Sequence, residues 1–90
     1  MQTRVAVMAI IVEKNESIEK LNTILHEYSE HIIGRMGIPY RKAGVSIICI
    51  ALDAPQNMIN TLAGEIGRIP GVSTKTIYSK IRSDRDSLKE

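Results

Sequence analysis

The sequence predicts an α+β, ferredoxin-like (ACT-like) fold: a βαββαβ unit whose four-stranded antiparallel sheet carries two helices on one face. Three observations point to it. Residues 4–12 (RVAVMAIIV) and 45–52 (VSIICIAL) are apolar at nearly every odd and even position, as strands covered on both faces are. Each is followed by a segment with helical spacing. The two mixed extended segments, residues 33–39 and 72–79, fall where this topology puts its edge strands, and the saturated ones fall at its centre.

Taken in order, the first strand is defined by its β-branched content and its stop at Glu13 and Lys14. Asn15 is placed to cap the first helix, in which Ile18, Leu21, Leu25, Tyr28 and Ile32 follow a 3-4-3-4 spacing with Ile24 alongside. Residues 33–39 are extended but carry Arg35 and two glycines, the mark of a kinked edge strand. Pro39-Tyr40-Arg41-Lys42-Ala43-Gly44 reads as a hairpin turn, with Gly44 supplying a positive φ at the re-entry. After the third strand, Asp53 and Pro55 signal a helix start. Met58, Ile59, Leu62, Ala63, Ile66 and Ile69 share one side of that helix, and Pro70-Gly71 ends it. The last strand, 72–79, is half polar. One domain is expected over residues 1–80, with a charged C-terminal tail over 81–90.

The bulk numbers exclude more than they identify. A chain of 90 residues with 43% hydrophobic and 24% charged residues is a single small domain, and at that size it buries only a little over ~60% of its unfolded surface. A net charge of +2 does not announce a nucleic-acid binder. One cysteine, Cys49, excludes an internal disulfide and suits a reducing compartment. The apolar run at residues 5–12 is far short of the ~20 residues of a membrane span. The expectation is a cytoplasmic, prokaryotic protein with no membrane partner.

Two helices cover one face of a sheet, yet both central strands are apolar on two. Val5, Val7, Ala9 and Ile11 face one way, and Ala6, Met8, Ile10 and Val12 the other. The third strand repeats this with Val45, Ile47, Cys49 and Ala51 against Ile48, Ile50 and Leu52. At ~1.5–3 kcal/mol per buried aliphatic side chain, the uncovered set supplies on the order of 10 kcal/mol, comparable with the ~4–15 kcal/mol that association costs. A homo-oligomer, dimer or tetramer, is therefore expected, with Val5, Val7, Ile47 and Cys49 in the contact. Gly64 is added to that set, because a glycine inside the second helix costs ~1 kcal/mol and suggests close approach of a neighbouring backbone.

Candidate chemistry is sparse. Arg35, Tyr40, Arg41 and Lys42 are the residues expected to bind a small anionic ligand or an acidic partner. Gly34-Arg35-Met36-Gly37 has the G-x-x-G pattern of a KH clamp, but that loop joins two helices and this one sits in extended chain. Acids gather in residues 13–30, five against two lysines, and residues 68–82 hold four basic residues and no acid. Such segregation gives one acidic and one basic flank. His26 and His31 lie about 140° apart around a helix and do not chelate as an i,i+4 pair does; at i,i+4 they can instead meet Glu30 and Glu27. A metal site would need both of them with Cys49, shared across subunits. Cys49 itself is expected to be buried and inert. No acid–base pair or activated nucleophile is visible, so no catalytic residue, metal or cofactor is expected.

At residues 34–55 and again at 62–72, "GRMGIPYR", "GVSII", "DAP" and "G-x-I-G-R-I-P-G-V" resemble the iron-only hydrogenase system regulators, short proteins similar to ACT domains and to the C-terminal domain of the nickel-responsive repressor. The resemblance spans roughly residues 4–80. It implies an ACT-like oligomer tied to control of a hydrogenase. It transfers no site residues. Residues 12–17 lack the glycine that amino-acid-binding ACT domains use there, and no His or Cys matches the repressor's nickel ligands. There is no room for a helix-turn-helix or ribbon-helix-helix beside the βαββαβ unit. The expected function is thus an oligomeric regulatory or sensing module acting through ligand or protein binding, including control of transcription through a partner. The alternatives are a nucleic-acid binder using the basic sheet edges, which a shortage of aromatics counts against, and a metal-binding sensor domain.

Overall fold

The computed structural model describes residues 2–82, with side chains described for residues 2–80. Its elements run β1 (Arg4–Val12), α1 (Ser17–Glu27), a 3₁₀ turn (Ser29–His31), β2 (Ile32–Tyr40), β3 (Val45–Ala54), α2 (Gln56–Gly67) and β4 (Val72–Arg82). The four strands form one antiparallel sheet in the order β2-β3-β1-β4, so the two apolar strands are central, as expected.

Register decides which set of side chains meets the helices. Facing residues of an antiparallel pair share a sheet face. On β1 the covered set is Ala6, Met8, Ile10 and Val12; on β3 it is Ile48, Ile50, Leu52 and Ala54, every one of them buried. Against them pack Leu21 and Leu25 of α1, Ile59, Leu62 and Ile66 of α2, and Ile69 just beyond it. Ile18, Ile24, Tyr28 and Ile32 close the margin, so the predicted stripe is the one the core uses.

The helix boundaries correct two expectations. Asn15 does not cap α1. The chain enters through a turn in which Ser17 N–H donates to Lys14 O (2.9 Å) and Ile18 N–H to Asn15 O (3.1 Å). Glu16, already in helical conformation, occupies the cap position, and no side chain bonds there. Ser17 instead donates its Oγ–H to Pro70 O at 2.6 Å, tying the start of α1 to the turn after α2. Asp53 lies within β3, opposite Val5, and α2 starts behind Pro55, whose carbonyl accepts from Met58 and Ile59 N–H.

Gly44 (φ 69°) re-enters β3 and Gly71 (φ 75°) enters β4. Gly71 is also tight: a Cβ there would stand 2.7 Å from Lys14 Cγ. The pairing of β2 with β3 slips between Ile32 and Gly34, the kink that the glycines suggested. β4 runs to Arg82, past the expected strand end at residue 79. Of the tail expected at 81–90, residues 83–90 lie outside the described residues. No helix among the described residues is long and apolar enough to cross a membrane.

Candidate functional site

The uncovered face of the sheet is the most distinctive surface of the molecule. Reading across the strands, Ile38, Ile47, Ile11 and Ser73 form one row; Met36, Cys49, Ala9 and Lys75 the next; Gly34, Ala51, Val7 and Ile77 a third. Tyr40 with Val45 caps one end, and Val5 with Asp53 the other. Val7 (44%), Ile11 (42%) and Ile77 (71%) stand well out into solvent, as do Met36, Ile38 and Tyr40. Small residues (Ala9, Cys49, Ala51, Gly34) alternate with the larger ones in these rows. Contiguous apolar surface of this kind marks an interaction site on a soluble domain.

Four of the five residues expected at an interface, Val5, Val7, Ile47 and Cys49, therefore share this face. Gly64 does not. It lies on α2, in the layer that covers the opposite side of the sheet, so it joins no common surface with the other four. The nearest atom to a Cβ placed there is Arg68 Nη1, at 3.6 Å, so no backbone crowds this position within the chain. Cys49 is half-buried on the open face, not enclosed as its strand position suggested. The central strand is buried by its neighbours in the sheet but not by a second layer.

The expected ligand-binding set also divides. Tyr40 and Arg41 line a cavity of about 340 Å³ at the β2–β3 hairpin tip, with Asn15, Ile18, Pro39 and Ser46. Lys42 is in the hairpin turn but does not line it. Arg35 pairs with Ile50, on the helix side of the sheet, where its Nη2 donates to Asn22 Oδ1. It borders a separate hollow of about 290 Å³ with Leu25, His26, Ser29 and Ile32. Arg35 on β2 and Lys75 on β4 thus sit at opposite edges and on opposite faces.

The histidines part in the same way. α1 ends at Glu27 and His31 belongs to the 3₁₀ turn, so the helical spacing that would join His31 to Glu27 is broken. His26 is on the helical layer and Cys49 beyond the sheet from it. Among the described residues no group of three or more metal-ligating side chains comes together. Tyr28, just past α1, has its phenol equilibrium shifted. Burial raises its pKa above the usual 10.0, and so do its bond to Glu65 Oε1 (3.1 Å) and the negative charges of Glu65 and Glu27.

A family model described as "TM1266-like: Iron-only hydrogenase system regulator, putative" matches residues 4–76. The chain belongs to the TM1266-like family. The resemblance drawn from the glycine and proline motifs is therefore to the right family, and those motifs map to the β2–β3 hairpin and to the turn from α2 into β4. Among solved structures, TM1266 of Thermotoga maritima, described as an uncharacterized protein, is similar at 33% identity, with a TM-score of 0.84 over 87% of this chain and 99% of that one. The de novo designed protein Foldit4 shares the fold at 13% identity, with a TM-score of 0.63 over 89% of this chain and 99% of its own. A comparison with curated proteins finds no match.

The sequence reading passed over two features of this TM1266-like chain. Ser17 is a buried polar residue whose partner, Pro70 O, is 53 positions away and leaves no local signal. Arg4 reads only as the first residue of a strand, yet its guanidinium lies 4.5 Å from the centroid of the Tyr78 ring. The only trace of that contact in sequence is an arginine at the margin of an otherwise apolar strand.

Proposed function

We propose that this chain is a non-catalytic regulatory module of an iron-only hydrogenase system. It works in the cytoplasm as a homo-oligomer whose copies cover one another's open sheet faces, and it acts by binding a protein or a small molecule. One observation carries the reading: an apolar face spanning all four strands, with large side chains such as Val7, Ile11 and Ile77 exposed. The family description supports the regulatory role. A catalytic role has no support from nucleophile–base geometry in the described residues. Direct reading of nucleic acid is disfavoured by the weak net charge of +2 and by the shortage of aromatics for base stacking. Control of transcription would then pass through a partner that contacts DNA.

Sedimentation velocity tests the assembly. The wild-type chain is expected to sediment as a dimer or tetramer at micromolar concentration. Val7→Asp, which places a charge in the middle of the open face, is expected to sediment as a single chain with unchanged far-ultraviolet circular dichroism. A wild-type chain that sediments alone at that concentration would refute the reading. In the host, deletion of the gene is expected to change hydrogenase activity, and the Val7→Asp variant is expected to behave like the deletion.

A further inference from the structure

The end of the molecule opposite the β2–β3 hairpin holds a further hollow, of about 350 Å³, lined by Gln2, Thr3, Arg4, Gln56 and Lys80. Every one of these side chains can donate a hydrogen bond, two are cations, and none is an acid. Asp53, next to Arg4's strand partner Ala54, belongs to the other face of the sheet.

Arg4 is held in place before any ligand arrives. Its Nη1 donates to Gln56 Oε1 (3.1 Å) and its Nη2 to Ser79 O (3.1 Å), and the guanidinium lies over the Tyr78 ring. Tyr78 is in turn fixed by donating to Asn60 Oδ1 at 2.8 Å. Arg4 Nε is sealed from solvent with no acceptor. Two of the five N–H donors are thus matched within the chain, and the charge is met by no carboxylate among the lining residues.

The strand pairing is irregular here. Arg4 pairs with Arg82 and Ala6 with Tyr78, so residues 79–81 stand against Val5 alone. A bulge of this kind bends the strand and re-aims its side chains, and bulges gather beside functional sites. It carries the Ser79 carbonyl to Arg4 and brings Lys80 to the rim of the hollow. The first turn of α2, which starts at Gln56, contains no acid.

We propose that this hollow is an oxyanion site, which takes the phosphate or carboxylate group of a small molecule between Arg4, Lys80 and the Gln56 amide. Arg4 supplies a planar, pre-positioned fork and Lys80 a mobile point charge, the combination that selects a compact anion. The site is independent of the open sheet face and of the hairpin-tip cavity.

Titration of the full-length protein, followed by ¹⁵N–¹H correlation spectra, tests it, with inorganic phosphate in one arm and malonate in the other. Saturable shifts are expected at the amides of residues 2–4, 56–58 and 79–80. Lys80→Gln, an exposed substitution that leaves the fold alone, is expected to weaken binding about tenfold or more, the worth of one charge-assisted hydrogen bond. Arg4→Lys keeps the charge, removes the fork and is expected to weaken it as well. Lys42→Gln, at the far end of the molecule, is expected to have no effect. Saturation in one arm only supports the site and names the group it prefers. The proposal is overturned if neither anion saturates, if Lys80→Gln binds as tightly as wild type, or if shifts track exposed lysines and arginines everywhere.

Discussion

Met8 and Val7 are neighbours on β1 and equally apolar in kind, yet Met8 is 0% exposed and Val7 44%. The same alternation runs along β3, where Ile48, Ile50 and Leu52 are buried and Ile47, Cys49 and Ala51 are only half covered. What separates the two faces is not composition but supply: the described residues hold two α-helices, and both pack on one side. Strands saturated with aliphatic residues on both faces suit two covering layers, and the described residues supply one of them. The covered face forms the core, and the open face is the one on which the proposed assembly rests.

That contrast can be broken most directly with paired truncations. Met8→Ala is expected to cost ~2–5 kcal/mol in urea unfolding, because it removes a fully buried side chain from a packed core. Val7→Ala, one residue away, is expected to cost less than about 1 kcal/mol for the isolated chain, since nearly half of the side chain is already in water. Repeating both at two protein concentrations sharpens the comparison. Stability that depends on assembly is concentration-dependent, so the Val7→Ala cost should grow as the protein is concentrated while the Met8→Ala cost stays the same. Equal and concentration-independent costs would mean that the two faces are not different in kind.

The backbone offers a second, smaller comparison. Gly71 sits in the turn beneath the helices with a positive φ and with Lys14 Cγ 2.7 Å from where a Cβ would stand. Gly34 lies on the edge strand of the open face with nothing within 4 Å. Gly71→Ala is expected to lower stability by about 1–3 kcal/mol, since strain and contact act together. Gly34→Ala is expected to be neutral or to stabilise by up to roughly 1 kcal/mol through the unfolded chain. Thermal unfolding of the two variants checks the order.

Most of the fold was legible because one device, periodicity, specifies it. Unbroken apolar runs in residues 5–12 and 45–52 and the 3-4 spacing from Ile18 to Leu25 mark the elements, although Ile32, counted with that helix, opens β2, and the topology then sorts centre from edge. The positive φ of Gly44 was legible for the same local reason. Which face of β1 meets the helices was not, because both sets are apolar and only packing distinguishes them. The site was less legible still. Arg35, Tyr40, Arg41 and Lys42 are close in sequence, but alternation along β2 sends Arg35 and Tyr40 to opposite faces, so a cluster in sequence is not one in space. Arg4, Gln56 and Lys80 are far apart in the chain and meet only because two strand ends and a helix start coincide. Asn15 misled because the entry turn uses its carbonyl to accept from Ile18 N–H and places Glu16, one residue on, in the cap position.

The smallest expected effect concerns how the helical cover is fastened to itself. Tyr28, just past α1, donates its hydroxyl to Glu65 of α2 at 3.1 Å, a polar bond at the edge of the apolar layer. Tyr28→Phe keeps the ring against the core and removes the bond, which at a partly buried site contributes about 0.5–1.5 kcal/mol. The pH dependence identifies the cause. Burial and the neighbouring acids favour the neutral phenol in the folded state, so its pKa is raised above the unfolded value of 10.0. The resulting stabilisation is fully present below pH 10 and is lost as pH rises through the unfolded and then the folded pKa. Alkaline unfolding of wild type, measured against Tyr28→Phe, should therefore show a stability difference that is flat at neutral pH and shrinks above about pH 10. Should the difference persist undiminished at high pH, the hydroxyl acts through packing and not through its proton.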